Sequence, residues 1–201
     1  MVHWEFGQDF HHLWILWFAN RNYWNEMCVR KLKYNRLKKM KYPILLFLFM
    51  SFQSIGQSPE YVKLLESYYD DTETITISDA AKKMNTEKTF FLDTRELDEF
   101  NVSHIDGAKC VGYDNFNINS VSKVSKSAEI IVYCSIGARS QTIANKLIDA
   151  GYTNVKNMYG GLFHWANSGY PLVNDQGKDT AIIHGYSKEW GKWVTNGIAV
   201  Y

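Results

Sequence analysis

Cys134 and Arg139 offer a soft nucleophile and a permanent cation separated by four residues, in the run Cys134-Ser135-Ile136-Gly137-Ala138-Arg139-Ser140. The chemistry this could do is attack by a thiolate on an anionic or electrophilic substrate. Beside an arginine or at a helix N-terminus a cysteine pKa falls from ~8.5 into the range ~3.5–7.5. A cysteine taken alone reads as a small buried hydrophobe with no chemistry. Its neighbours shift that reading. Ile130-Ile131-Val132-Tyr133 enters as a buried strand, and Ser140 to Ala150 reads as a helix with Ile143, Ala144, Leu147 and Ile148 on one face. Gly151 supplies the stop signal. The cysteine therefore sits where a strand ends and a helix begins, the place where open α/β sheets hold ligands. Amides of the loop and helix start, with the helix dipole, favour an anion there.

The elements that must position this loop follow from the rest of the chain. Gln57 to Glu73 reads as a linker or leading helix, Ile75-Thr76-Ile77 as a short strand, and Ser78 or Asp79 as the cap of a helix through Met84. Phe90-Phe91-Leu92 reads as a strand buried on both faces. Asp93 and Arg95 follow it. They are candidates for a supporting role near the site, and we read them chiefly as an internal ion pair that shapes the neighbouring loop. Ala108 to Val111 is a short strand with Cys110 inside it, expected to be a small core residue. A short helix is expected within 113–128, a strand over Val155 to Met158, and a helix over Leu162 to Asn167 ended by Gly169 and Pro171. Strands alternating with helices predict a doubly wound parallel α/β sheet of about five strands flanked by helices.

The ordered motifs resemble those of rhodanese-like sulfurtransferases over roughly Thr74 to Leu172. The carriers are Phe91-Leu92-Asp93-Thr94-Arg95 with Glu99-Phe100, His104-Ile105-Asp106-Gly107-Ala108, the loop Cys134 to Arg139 followed by Ser140, Gly151-Tyr152 with Val155, and Gly160-Gly161 with Trp165. The resemblance implies sulfur transfer in two half-reactions. Cys134 attacks a donor such as thiosulfate, carries the sulfur as a persulfide, and passes it to a thiol or cyanide acceptor. Ser135, Ile136, Gly137, Ala138, Arg139 and Ser140 would bind substrate, mostly through amides. Gly137 would allow the close turn, and Arg139 would bind the anionic donor and favour the thiolate. No cofactor or metal is implied.

Two other functions compete. Phosphatases of related fold resemble Cys-x5-Arg, one residue longer than the loop here, and that larger ring suits phosphate. The domain could also be a persulfide-carrying or protein-binding module with little turnover. His104 reads as structural, His164 has a weak functional claim, and Cys28, Cys110 and Cys134 lack zinc-ligand spacing.

Charge is uneven. Residues 1–56 hold 8 Lys/Arg against 3 Asp/Glu, while residues 57–201 hold 14 against 18, a net of −4 that gives no footprint for nucleic acid. Residues 1–39 carry four of the seven tryptophans and no clean period. Over 40–56, a basic start, the apolar run Ile44 to Phe52 and Ser54-Ile55-Gly56 read as a secretory signal peptide. The expectation is translation from Met40, with residues 1–39 an upstream artefact or non-globular extension. Export to a periplasmic or extracellular space follows, as a monomer without stable membrane insertion; the alternative is a membrane-anchored extension. Residues 173–201 form a C-terminal extension whose Trp190, Trp193 and Tyr201 read as anchors packed on the domain, or else as the lining of a substrate groove or a partner surface.

Overall fold

The computed structural model describes residues 57–69, 71–84, 86 and 88–201; the expected signal peptide and the segment before it lie outside these. Among the described residues no helix is long and apolar enough to cross a membrane.

A five-stranded parallel sheet carries the fold, in the order β1-β5-β4-β2-β3. The strands are β1 (Thr74–Ile75), β2 (Thr89–Asp93), β3 (Lys109–Cys110), β4 (Glu129–Tyr133) and β5 (Val155–Met158). The central position of β4 explains its composition. Ile130, Ile131, Val132 and Tyr133 are all fully buried, and alternate residues enter different cores. Ile131 and Tyr133 join Tyr61, Phe163 and Trp165 on one face. Ile130 and Val132 join Val121, Ile143, Leu147 and Tyr152 on the other. Each such aliphatic side chain contributes about 1.5–3 kcal/mol by burial, and two covered faces require the continuous apolar run.

Helices cover both faces. α1 (Pro59–Glu66) starts at Ser58, whose hydroxyl accepts from the Tyr61 amide, with proline in its first turn; it buries Tyr61 and Leu65, one turn apart. α2 (Ile77–Lys82) is capped by Thr76 rather than Ser78 or Asp79: β1 ends at Ile75, and the Thr76 hydroxyl accepts from the Asp79 amide at 3.1 Å. α3 (Leu97–Val102) opens with a capping box between Glu96 and Glu99. A 3-10 turn at Ile118–Val121 precedes β4. α4 (Ala138–Asp149) begins two residues earlier than the pattern predicts, at Ala138, after an N-cap Gly137 in the left-handed conformation. Its buried stripe is Ser140, Ile143, Ala144 and Leu147, the i, i+3, i+4, i+7 set, while Ile148 falls off the edge of that stripe and is exposed. α5 (Gly161–Asn167) follows β5.

Two further expectations are corrected. Phe90 is partly exposed, so β2 is buried on both faces only from Phe91 onward. Cys110 is half-buried rather than a core residue, because β3 is an edge strand of two residues with one neighbour. Its thiol pKa is raised by burial and by the Asp93 charge. Register keeps it from Cys134. Cys110 aligns with Asp93, and Asp93 with Tyr133. Two strand spacings of ~4.8 Å separate them, beyond the ~7 Å a disulfide spans.

The C-terminal residues form β6 (Ile182–His184), α6 (Lys188–Gly191) and β7 (Ile198–Val200), with β6 and β7 paired in parallel. Asn167 at the end of α5 fastens them. Its amide donates to the Trp193 carbonyl at 2.7 Å, and its oxygen accepts from the Thr195 and Asn196 amides. The Trp193 ring lies 5.2 Å from Tyr61.

Candidate active site

Cys134 lies at the end of β4, 1% exposed, on the wall of a pocket of about 260 Å³. Its sulfur accepts a hydrogen bond from the Gly137 amide at 3.1 Å. The loop is built so that its carbonyls face away from the sulfur. Cys134 O and Ser135 O are held by the Leu162 and Phe163 amides of α5, at 2.8 and 3.0 Å. Ile136 O accepts from the Tyr69 hydroxyl at 2.9 Å, and Gly137 O from the Asn157 side-chain amide at 2.9 Å. In a planar trans peptide the C=O and the following N–H point in opposite directions. Anchoring four consecutive carbonyls therefore turns the N–H groups of Ser135, Ile136, Gly137 and Ala138 to the other side. Together with the amino end of α4 they make a concave set of donors suited to one anionic atom.

Two glycines make this possible. Gly137 has φ +100°, and a side chain there would collide with the Tyr69 hydroxyl. Gly161 has φ +59°, and a side chain would collide with the Cys134 carbonyl and, at 2.8 Å, with the Ile136 amide nitrogen.

Tyr69, in the segment after α1, was not legible as a site residue. Its hydroxyl also accepts from the Gly160 amide at 2.7 Å, so it joins the cysteine loop to the β5–α5 turn. Burial holds its phenol well above the ordinary range, with a further push from Cys134, so it stays a neutral donor. Tyr69→Phe should cost about 1–3 kcal/mol of stability, because the Gly160 amide and Ile136 carbonyl lose a partner. It should also change the rate at which Cys134 is alkylated at fixed pH while leaving Cys110 unchanged. Denaturant titration and thiol labelling check this; identical stability and Cys134 labelling would remove Tyr69 from the positioning of the loop.

Arg139 differs from expectation. It lines the pocket, but both terminal nitrogens are engaged by Glu99 at 2.6 and 2.7 Å, and one also reaches the Ser135 hydroxyl at 3.2 Å. The side chain expected to bind an anionic donor and favour the thiolate is one half of a bidentate ion pair. Burial opposes its charge, and the Glu99 hydrogen bonds and the nearby Cys134 outweigh that, raising its pKa. Glu99 is 4% exposed; burial would raise its pKa, but Arg139 and then Arg95 hold it below the usual carboxylate value.

That depressed pKa gives a pH dependence. The stabilisation from ionised Glu99 is complete above its unfolded pKa of about 4.3 and is lost as pH falls through the lower folded value. Glu99→Gln should therefore be less stable than wild type near neutrality, and the gap should narrow as pH drops below that unfolded value, since the folded pKa is lower still. Urea midpoints across that range check it. A gap independent of pH would mean that Glu99 is not the titrating partner.

The other sequence candidates divide. Ser135, Ile136 and Ala138 line the pocket. Ser140 is buried and does not line it: its hydroxyl donates to Asn157 Oδ1 at 2.8 Å and acts on the loop through that side chain. Asp93 and Arg95 are fully buried and paired at 2.6 Å, outside the pocket lining. His104 stacks on Phe100 at 3.7 Å and neither His104 nor His164 lines the pocket. Among the described residues no group of three or more His, Cys, Asp or Glu could hold a metal ion.

Comparison with known proteins places the described domain in a family. A family model described as Rhodanese-like domain matches residues 76–168. Thiosulfate sulfurtransferase 16, chloroplastic, of Arabidopsis thaliana is 36% identical over 92 residues, which is 40% of this chain and 77% of that protein. A sulfurtransferase of Allochromatium vinosum is 37% identical over 57 residues, 28% of this chain and 53% of that protein. A solution structure of a rhodanese-like domain from Anabaena sp. aligns with a TM-score of 0.47 at 24% identity, covering 50% of this chain and 78% of that one.

Proposed function

Because this chain belongs to the rhodanese-like domain family, we propose that it moves a sulfane sulfur from a donor such as thiosulfate to a thiophilic acceptor through a persulfide on Cys134. The observation that carries this reading is a buried cysteine sulfur that accepts the Gly137 amide at 3.1 Å in a loop whose four carbonyls have partners of their own. In the first half-reaction the Cys134 thiolate attacks the donor's outer sulfur. A new S–S bond forms, the old one breaks, and its electron pair leaves with sulfite. The terminal persulfide sulfur is anionic, and the loop amides satisfy it. An acceptor such as cyanide then takes that sulfur and the Cys134 thiolate is restored, which gives ping-pong kinetics. The phosphatase alternative asks a loop of four intervening residues to hold a tetrahedral phosphate.

Mass spectrometry after thiosulfate treatment tests the reading: the expected result is a gain of one sulfur atom on Cys134, discharged by cyanide as thiocyanate. Loading without discharge would favour a persulfide-carrying module, and no loading from any donor would overturn the proposal. The basic, short apolar and small-residue succession of residues 40–56 supports export as part of the same proposal. Sequencing of the natural N-terminus should find a chain beginning near Gln57; a mature protein retaining Trp4 would overturn export.

A further inference from the structure

The geometry points to a flat, apolar-bodied organosulfur compound, carrying no more than one negative charge, as the substrate this pocket selects. This inference rests on the sulfur-transfer reading above and adds the substrate class. Three observations carry it. First, the walls beyond the cysteine loop are aromatic: Tyr68 after α1, Tyr186 between β6 and α6, and Trp190 in α6. Tyr68 and Trp190 meet edge to face at 6.0 Å, closing one side. The other carbon surface comes from Ile136 and Ala138. Second, among the described residues that line the pocket Arg139 alone is cationic, and Glu99 holds its guanidinium in a bidentate pair. A small dianion such as thiosulfate gains little from a charge already neutralised, whereas a ring gains from every wall. Third, Tyr186 is placed with backbone strain. It has φ +63°, the one non-glycine residue with positive φ among the described residues, and its ring lies 5.3 Å from the Arg139 guanidinium. The strained turn is held by the Tyr186 amide donating to His184 Nδ1 at 3.1 Å and by the Gly185 amide donating to Val200 O at 2.8 Å. A strained, exposed aromatic fixed over a pocket mouth marks a functional position.

The nucleophile and the walls come from different parts of the chain. Cys134 lies within the matched segment 76–168, while Tyr68, Tyr186 and Trp190 lie outside it. The reacting loop thus lies within the matched segment, and the selecting surface is supplied by flanking residues of this chain. At about 260 Å³ the pocket has room for one ring with a sulfur head, just under the ~300–1,000 Å³ of drug-sized sites.

An aryl thiosulfonate represents the class. The Cys134 thiolate attacks its outer sulfur, the Cys134 S–S bond forms, the donor S–S bond breaks, and the electron pair departs with an aryl sulfinate. Charge balances and no external oxidant or reductant enters.

The test compares benzenethiosulfonate with methanethiosulfonate, which has the same reacting head and no ring, using the full chain and cyanide as acceptor. Their kcat/KM ratio is measured in wild type and in Trp190→Ala, so that intrinsic reactivity cancels. The ratio should fall by about tenfold in the variant. Tyr186→Gly, which removes the ring and relieves the strain, gives a second variant that keeps the fold if Trp190→Ala does not. Equilibrium binding of both donors to Cys134→Ala, which cannot react, reads the pocket independently of turnover and should favour benzenethiosulfonate only while Trp190 is present. If Cys134 acquires sulfur but the ratio is the same in wild type and both wall variants, the substrate class is wrong and sulfur transfer stands. If benzenethiosulfonate binds in a Trp190-dependent way but no donor loads Cys134, sulfur transfer is wrong and the ring-binding pocket stands. Neither binding nor loading would overturn both.

Discussion

Cys134→Ser should abolish sulfur transfer while leaving the fold unchanged. The loss should be on the order of 10³-fold or more, the scale seen when a covalent nucleophile is removed. A serine hydroxyl is a far weaker nucleophile near neutral pH, and sulfur bound to oxygen would not form the disulfide-like bond that makes transfer reversible. The fold should tolerate the change, since the side chain is nearly isosteric and the introduced hydroxyl oxygen can accept the same Gly137 amide that now donates to sulfur at 3.1 Å. The carbonyls behind the loop keep their partners on α5, Tyr69 and Asn157. Thiocyanate formation, intact mass after donor treatment and thermal unfolding together check the prediction. A variant that still gains one sulfur atom would show that the sulfur is carried elsewhere, and Cys110 would be the first place to look.

What the sequence revealed and what it hid divide by distance along the chain. The strand–cysteine–helix unit is contiguous, so its physics is local: a doubly buried run, a glycine able to take positive φ, and an apolar helix stripe. The error on Ile148 is one of phase, since a stripe extended from Ile143, Ala144 and Leu147 includes Ser140 and leaves Ile148 at its edge. Asp93 and Arg95, two residues apart, could be read as a structural pair. The partner of Arg139 could not. Glu99 lies 40 residues away, and the two meet because a parallel sheet brings the starts of α3 and α4 to one edge. The aromatic wall is equally non-local, joining Tyr68 to the C-terminal extension. Trp190 was legible as either an anchor or a groove residue, and its position shows both contacts, packing on Tyr68 while lining the pocket. The half-burial of Cys110 is not legible in the sequence, because burial depends on how many neighbours a strand has, which a short apolar run does not reveal.

Asp93→Ala should have the largest effect on stability of any single change at or behind the site. The Arg95 side chain is 0% exposed and so is that of Asp93. The carboxylate takes Arg95 Nε at 3.0 Å, Nη2 at 2.6 Å and the Arg95 amide at 2.9 Å. Nη2 also donates to Ser103 O at 2.6 Å, while Nη1 has no partner. Burial opposes the guanidinium charge and Asp93 more than offsets it, holding the Arg95 pKa above its ordinary value. Removing the carboxylate strands a fully buried cation without its counter-charge, which costs about 3–5 kcal/mol. Domains have only about 5–15 kcal/mol in total, so the melting temperature should fall by roughly 10 °C. Activity should suffer through position rather than contact. Arg95 ties the end of α3, the helix that carries Glu99, and the neighbouring Thr94 amide holds Tyr133 O, the last carbonyl before Cys134. The pair and not the charge is what matters, so Asp93→Ala combined with Arg95→Met should recover part of the loss by replacing an orphaned ion with apolar volume. Thermal and urea unfolding of the two variants decide it. If Asp93→Ala melts within about 2 °C of wild type, or the double variant is the less stable of the two, the buried pair is not what braces the loop.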